Sequence, residues 1–287
     1  MRVAERFWII LRHAAVSTYD NGLIDIAKGA AFSSLLSFFP VLTTLATVLV
    51  QANAERVSQA IAKFLFEVVP PGTEDLVQYA FTLRGARPNW LIVGAAIVSV
   101  WSASDVVVSL MSGFQAAYRA PNTRSFWRQR WVAILLVFSA ILPALGASLL
   151  LVFGERIEDL VLFWFNLLAP GSVLAGMVGI LSRIASNVIA IATLVIVTSW
   201  LYRFAPSLPK RWKRVWPGAI LATALWSLAT LGFGWYVRNI ATYNIMYGSI
   251  GAAIALLIWM YMISLIALFG CAYNAETEKL KKEGIIE

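Results

Sequence analysis

Apolar residues in this chain do not alternate with polar ones at the two-residue period of a strand; they come in six long blocks. The blocks run over Ala30–Val50, Trp90–Met111, Trp131–Phe153, Ile184–Tyr202, Trp216–Val237 and Gly248–Cys271. Each is close to the ~20 residues that a helix needs to cross ~30 Å of hydrocarbon. Unpaired backbone N–H and C=O groups are costly in lipid, so blocks of this length and pattern predict helices rather than a β-barrel. The expected fold class is all-α: a polytopic membrane protein with six transmembrane helices, forming one domain over residues 1–287.

The intervals between blocks add smaller elements. Val3, Phe7, Trp8, Ile10 and Leu11 are interleaved with Arg2, Glu5, Arg6, Arg12 and His13, which predicts an amphipathic helix on the membrane face within residues 1–28. Its apolar run is short and broken by charge, so it is not expected to be a cleaved secretory signal. Residues 51–89 are expected to form an external helical loop. There, Val57, Ala60, Ile61, Phe64, Leu65 and Val68 recur at helical spacing, and Pro70-Pro71-Gly72 stops that helix. Thr73, followed by Glu74 and Asp75, then caps a second short helix ending near Gly85. Leu160–Ala169, closed by Pro170-Gly171, is too short to span and reads as interfacial or re-entrant; Leu174–Ile180 is able to lengthen the fourth block. Residues 274–287 read as a tail.

Charge orients the bundle. Arg2, Arg6, Arg12 and Lys28 precede the first block, Arg119, Arg124, Arg128 and Arg130 fill the second interval, and Arg203, Lys210, Arg211, Lys213 and Arg214 the fourth. With Lys279, Lys281 and Lys282 these are 16 of the 23 basic residues, and all fall on one side of the expected topology. Lys and Arg are retained in the cytoplasm, so both termini are expected there. Trp90, Trp131 and Trp216 at block ends read as interface anchors. The composition, 60% hydrophobic and 13% charged against roughly 25% charged in a soluble domain, agrees with the membrane class. The net charge of +8 sits in short loops and points to anionic lipid on the cytoplasmic face. Nucleic acid is not an expected partner, since no zinc spacing, RNP-like motif or helix-turn-helix pattern accompanies the charge.

Candidate chemistry is sparse. One cysteine, Cys271, and one histidine, His13, leave no usual zinc set and no Ser-His-Asp arrangement with a placed base. No Walker A or dinucleotide fingerprint occurs, so no cofactor and no enzymatic activity are expected. The blocks do carry polar stripes. Ser99, Ser102, Asp105, Ser109 and Ser112 share one helical face of the second block, and Ser33, Ser37, Pro40, Thr44 and Thr47 one face of the first. Thr223, Ser227 and Thr230, and Ser182, Ser186 and Thr193, repeat the pattern in the fifth and fourth. Small and hydroxylated residues serve helix packing; they also suit a hydrated substrate pathway. Asp105 favours the pathway, because an intramembrane carboxylate costs at least ~2.5 kcal/mol on insertion scales unless paired or hydrated. Its depth makes Lys28 and Arg203 the expected charge partners. Pro40 and Pro143 break the hydrogen-bond ladder inside the first and third blocks, in a transporter or in a static bundle alike.

Several motifs together resemble the YihY/BrkB family of bacterial inner-membrane proteins, once labelled ribonuclease BN. They are Gly29-Ala30-Ala31-Phe32-Ser33-Ser34-Leu35-Leu36-Ser37-Phe38-Phe39-Pro40, Leu201-Tyr202-Arg203-Phe204-Ala205-Pro206, Trp216-Pro217-Gly218-Ala219, Tyr243 with Tyr247-Gly248-Ser249-Ile250-Gly251, and Trp259-Met260-Tyr261. The resemblance covers most of the chain and implies six spans, an inner-membrane location, and a role in transport or envelope integrity. Where the family shows Gly-Ala-Glu this chain has Gly270-Cys271-Ala272, so no role of that glutamate carries over. The expected function is translocation of a lipid, another amphiphile or a small solute, with a non-transporting envelope scaffold as the alternative.

Overall fold

The computed structural model describes residues 3–51, 89–121, 123–140, 143, 173–207, 211–239 and 249–286. These residues form seven helices and no strand: α1 (Val3–Asp20), α2 (Leu23–Gln51), α3 (Asn89–Ala117), α4 (126–140), α5 (Val173–Phe204), α6 (Trp212–Asn239) and α7 (Ser249–Lys282). Five of them, α2, α3, α5, α6 and α7, are long and apolar enough to cross a membrane. The helix over 126–140 opens the third block, whose remainder, Pro143 apart, lies outside the described residues. So do the two helices expected within 51–89 and the Leu160–Ala169 segment.

Three boundaries have local reasons. The amphipathic helix within residues 1–28 is α1, which ends where Gly22 takes φ +65°, a left-handed conformation that costs glycine little, and Asn21 N–H closes the last turn on Ser17 O at 3.0 Å. Leu174–Ile180 belongs to α5, which begins at Val173. The last helix runs past Cys271 to Lys282, so most of the expected tail is helical, with Asn274, Ala275 and Glu276 buried. It continues because Tyr273, Leu280 and Ile286 pack on Ile10 and Ala14 of α1, and because Lys279, Lys281 and Lys282 complement the negative end of the helix dipole.

Helix ends converge at one pole of the bundle. The α1–α2 turn, the ends of α3 and α5, the start of α6 and the last part of α7 meet there, tied by Arg119 to Asn21 and Glu276, Arg124 to Ala205, and Arg214 to Glu278. The basic intervals therefore share one end with α1 and the end of α7. The largest core cluster lies close beneath, around fully buried Tyr202, Phe114, Met111, Leu23, Val215 and Leu268. Tyr202 meets Phe114 edge to face at 5.3 Å, and its hydroxyl donates to Ala267 O at 2.5 Å. Cys271 and Ala272 are fully buried in the same cluster. Elsewhere long apolar side chains point outward, among them Phe32, Ile97, Leu135, Val188, Leu228 and Leu231, as lipid contact requires.

The α6–α7 crossing is close at Gly218 and Gly270. A Cβ on Gly270 would meet Gly218 O, the Tyr202 hydroxyl and the Ala222 methyl at 2.6, 2.6 and 2.8 Å. Pro217 lacks an N–H and so leaves the first turns of α6 short of a donor. Asn274 bonds α7 to this turn by accepting from Gly218 N–H at 2.7 Å and donating to Val215 O at 3.0 Å. Gly270→Val and Gly218→Val should each lower the melting temperature of the detergent-solubilised protein, by the equivalent of about 1–3 kcal/mol. Gly232→Ala, where an added Cβ meets nothing within 4 Å, should hold or raise it. A Gly270→Val protein as stable as the parent would remove the close crossing from the account.

Candidate functional site

The polar stripes of α2 and α3 face each other. Ser99 donates to Pro40 O at 2.7 Å, and since that uses its only proton, Thr44, 2.7 Å away, donates to Ser99. Lower in the seam the Ser33 and Ser109 hydroxyls stand 3.5 Å apart, and Ser109 donates to Asp105 O at 3.0 Å. Ser37 is buried and donates to Ser34 O, Ser112 donates to Val108 O, and Ser102 is half-buried. Thr193, Ser227 and Thr230 likewise return their protons to their own helices. The structure thus brings Ser33, Thr44, Ser99 and Ser109 together as interhelical contacts, worth about 0.6 kcal/mol each in membrane proteins.

Asp105 lies on the edge of this seam and turns away from it. Its Oδ1 accepts from Arg130 Nη1 at 2.6 Å, and the same nitrogen lies 2.8 Å from the hydroxyl of fully buried Ser104. Ser104 passes its own proton to Trp101 O at 2.6 Å. The Arg130 guanidinium sits 4.4 Å from the Trp101 ring centroid and 5.7 Å from that of Phe126. Local structure explains the meeting. Trp101, Ser104 and Asp105 are spaced i, i+3, i+4 on α3 and so share a face, while Arg130 lies in the opening turns of α4. The pair is asymmetric: the Arg130 side chain is 9% exposed and the Asp105 side chain 43%. The cation is enclosed and the anion is part-exposed beside Trp101, itself exposed.

This arrangement corrects the expected partners of Asp105. Lys28 pairs with Asp25 at 2.8 Å, one helical turn away and within easier reach. Arg203 lies over Trp212 and Phe204, 4.6 and 5.1 Å from their ring centroids, and meets no carboxylate among the described residues. Sequence reasoning placed Arg130 in the basic loop with Arg124 and Arg128, when its position beside Trp131 at the head of the third block was the available signal.

The pole where helix ends meet is built differently. Arg124 donates to the carbonyls of Phe204, Ala205 and Pro206 at 3.2, 2.7 and 2.8 Å, closing the end of α5. Desolvation, and secondarily the charge of Arg128, lowers the Arg124 pKa from its ordinary value. A cleft of about 320 Å³ at the ends of α3 and α7 is lined by Tyr118, Arg119, Glu276, Glu278, Lys279 and Lys282. Buried Glu276 is shared by Arg119 at 3.7 Å and Lys279 at 3.9 Å, and Glu278 holds Arg214 at 2.6 Å. Burial raises the Tyr118 hydroxyl far above the phenol range. Among the described residues no three His, Cys, Asp or Glu side chains are grouped to hold a metal ion.

Long apolar helices, outward-facing aliphatic surface and a carboxylate set within a candidate span and paired with an arginine define an all-helical membrane protein. The chain belongs to the Virulence factor BrkB family, whose pattern matches residues 16–285. It is 30% identical over 259 residues to YfkH of Bacillus subtilis (strain 168), provisionally named ribonuclease-like, covering 88% of this chain and 89% of that one. It is 27% identical over 264 residues to a UPF0761 membrane protein of Tolumonas auensis (strain DSM 9187 / NBRC 110442 / TA 4), covering 90% and 81%. A UPF0761 membrane protein of Rhodospirillum centenum (strain ATCC 51521 / SW) is 22% identical over 281 residues, and there the chain spans only 56% of the relative. No solved structure matches at a significant level.

Two variants separate the seam from the ion pair. Ser99→Ala removes one interhelical bond and should lower stability by about 0.6 kcal/mol. Arg130→Leu strands the Asp105 carboxylate and should cost about 2.5–3.5 kcal/mol, read as reduced accumulation in the membrane and a lower melting temperature. Equal effects of the two would mean that Asp105 is hydrated rather than paired.

Proposed function

We propose that this chain moves a lipid or another amphiphile between the leaflets of the bacterial inner membrane. In this reading it crosses the membrane six times, with the basic pole, α1 and both termini on the cytoplasmic side against anionic lipid, and binds no nucleic acid. One observation carries the reading: Asp105 is an anion inside a candidate span, held by an enclosed arginine yet 43% exposed on an apolar flank. A purely structural pair is best enclosed on both sides, because an ionised group facing hydrocarbon is costly. An outward acceptor instead suits a headgroup that donates hydrogen bonds, such as an amine or a polyol, while its acyl chains stay beside Trp101 and Leu135. A ribonuclease role draws no support from the side chains at hand.

The alternative, an envelope scaffold that transports nothing, is favoured by the α2–α3 seam, where the hydroxyls bond one another instead of lining a cavity. Reconstitution separates the two. With a headgroup-labelled phospholipid in liposomes, the wild-type protein should expose inner-leaflet label to an external quencher, and Asp105→Asn should slow this at least about tenfold while folding normally. Quenching no faster than in protein-free liposomes, for amine and polyol headgroups alike, would leave the scaffold. Orientation has its own check: a cysteine at position 213 should resist an impermeant thiol reagent added outside intact cells, and reaction there would invert the topology.

A further inference from the structure

Arg203 stands near the end of α5, within the candidate span Asn187–Phe204, and its guanidinium stacks on Trp212 and Phe204. Its Nε is buried and has no hydrogen-bond partner among the described residues, nor does any described carboxylate reach it. Three other cations of this pole are engaged: Arg119 on Glu276, Arg214 on Glu278, and Arg124 on the carbonyls that end α5. Because Arg124 already covers Phe204 O, Ala205 O and Pro206 O, the negative end of α5 is not available to Arg203. Its surroundings add further positive charge. Trp212, against which it packs, opens α6, whose first N–H groups carry the positive end of a helix dipole, and Arg211 and Lys213 are exposed beside it.

An arginine at the edge of a span with no countercharge among the described residues suits an anion from outside the protein. Planar guanidinium donors match phosphate oxygens, and aromatic faces hold the plane without consuming the N–H groups. Trp200 and Trp212, 5.9 Å apart, have the character of residues that sit at headgroup level. Exposed Ile196 on α5 and Ile220 on α6 continue the apolar surface from there. We propose that Arg203, with the first turn of α6, binds the phosphate group of an anionic molecule at the membrane interface. The phosphate belongs to a lipid headgroup or to a soluble phosphate, and the site is independent of the translocation reading, since binding at equilibrium is possible in a scaffold as well.

The test uses the full chain in neutral detergent, with melting temperature and native mass spectrometry as readouts. Short-chain phosphatidylglycerol, phosphatidylcholine and inorganic phosphate are titrated separately. Phosphatidylglycerol should bind saturably and raise the melting temperature, and Arg203→Gln and Arg203→Lys should each weaken it at least about tenfold, the lysine variant because it lacks the stacked fork. Inorganic phosphate displacing the lipid in an Arg203-dependent way would support the site and assign it to soluble phosphate; phosphate without effect would assign it to the headgroup. If Arg203→Gln does not fold, Arg203→Lys carries the test. Binding unchanged in a folded Arg203 variant, or no difference between phosphatidylglycerol and phosphatidylcholine with no effect of phosphate, would overturn the proposal.

Discussion

The architecture depends on the approach of two backbones at Gly218 and Gly270. Lipid gives helices no hydrophobic reason to associate, so bundles hold where small residues allow close contact and polar groups bond across the gap. Here the gap admits no side chain at either glycine. Asn274 bonds Gly218 N–H and Val215 O of α6 across it, and Tyr202 reaches Ala267 O through the same junction. Once α5, α6 and α7 are fixed there, their ends define the pole to which Arg124 and Arg119 fasten the end of α3 and the turn between α1 and α2.

Beside that pole, α3 and α4 meet around the Asp105–Arg130 pair. Two opposite charges in a span neutralise each other only if their geometry is close, and removing one strands the other at a cost of several kcal/mol. Arg130 meets the condition with one short bond to Asp105, a second to Ser104 and a ring beneath its plane. The asymmetry of the pair is what separates it from an inert strut. Arg203 is its counterpart at the pole, a cation with aromatic support and no carboxylate partner among the described residues. One site presents an acceptor to the surroundings and the other a donor.

Much of this was legible in the chain. The apolar blocks set the helices, because a span must satisfy its backbone internally whatever its neighbours are. The stripes on α2 and α3 were readable as faces, yet not as facing each other, since periodicity fixes a direction on one helix and says nothing of the partner. The same limit misassigned the partner of Asp105: Lys28 and Arg203 were judged by depth, whereas Arg130 won through the return of α4 alongside α3. The end of the last helix was missed because hydropathy falls after Cys271, and there burial comes from α1 packing on Tyr273 and Leu280 rather than from lipid. The quoted motifs Leu201–Pro206 and Trp216–Ala219 proved to hold the residues of the close crossing, so part of what makes the resemblance specific is packing.

Exchange of the two charges tests the central claim most directly. Asp105→Arg and Arg130→Asp, made singly, place like charges together in a span and should each reduce the folded protein recovered from membranes to a small fraction of wild type. Made together they restore an opposite pair at the same two positions, and the double variant should recover to well above either single one. A double variant no more abundant or stable than the worse single variant would mean that Asp105 and Arg130 are not each other's countercharge, and the account of the flank would fail with them.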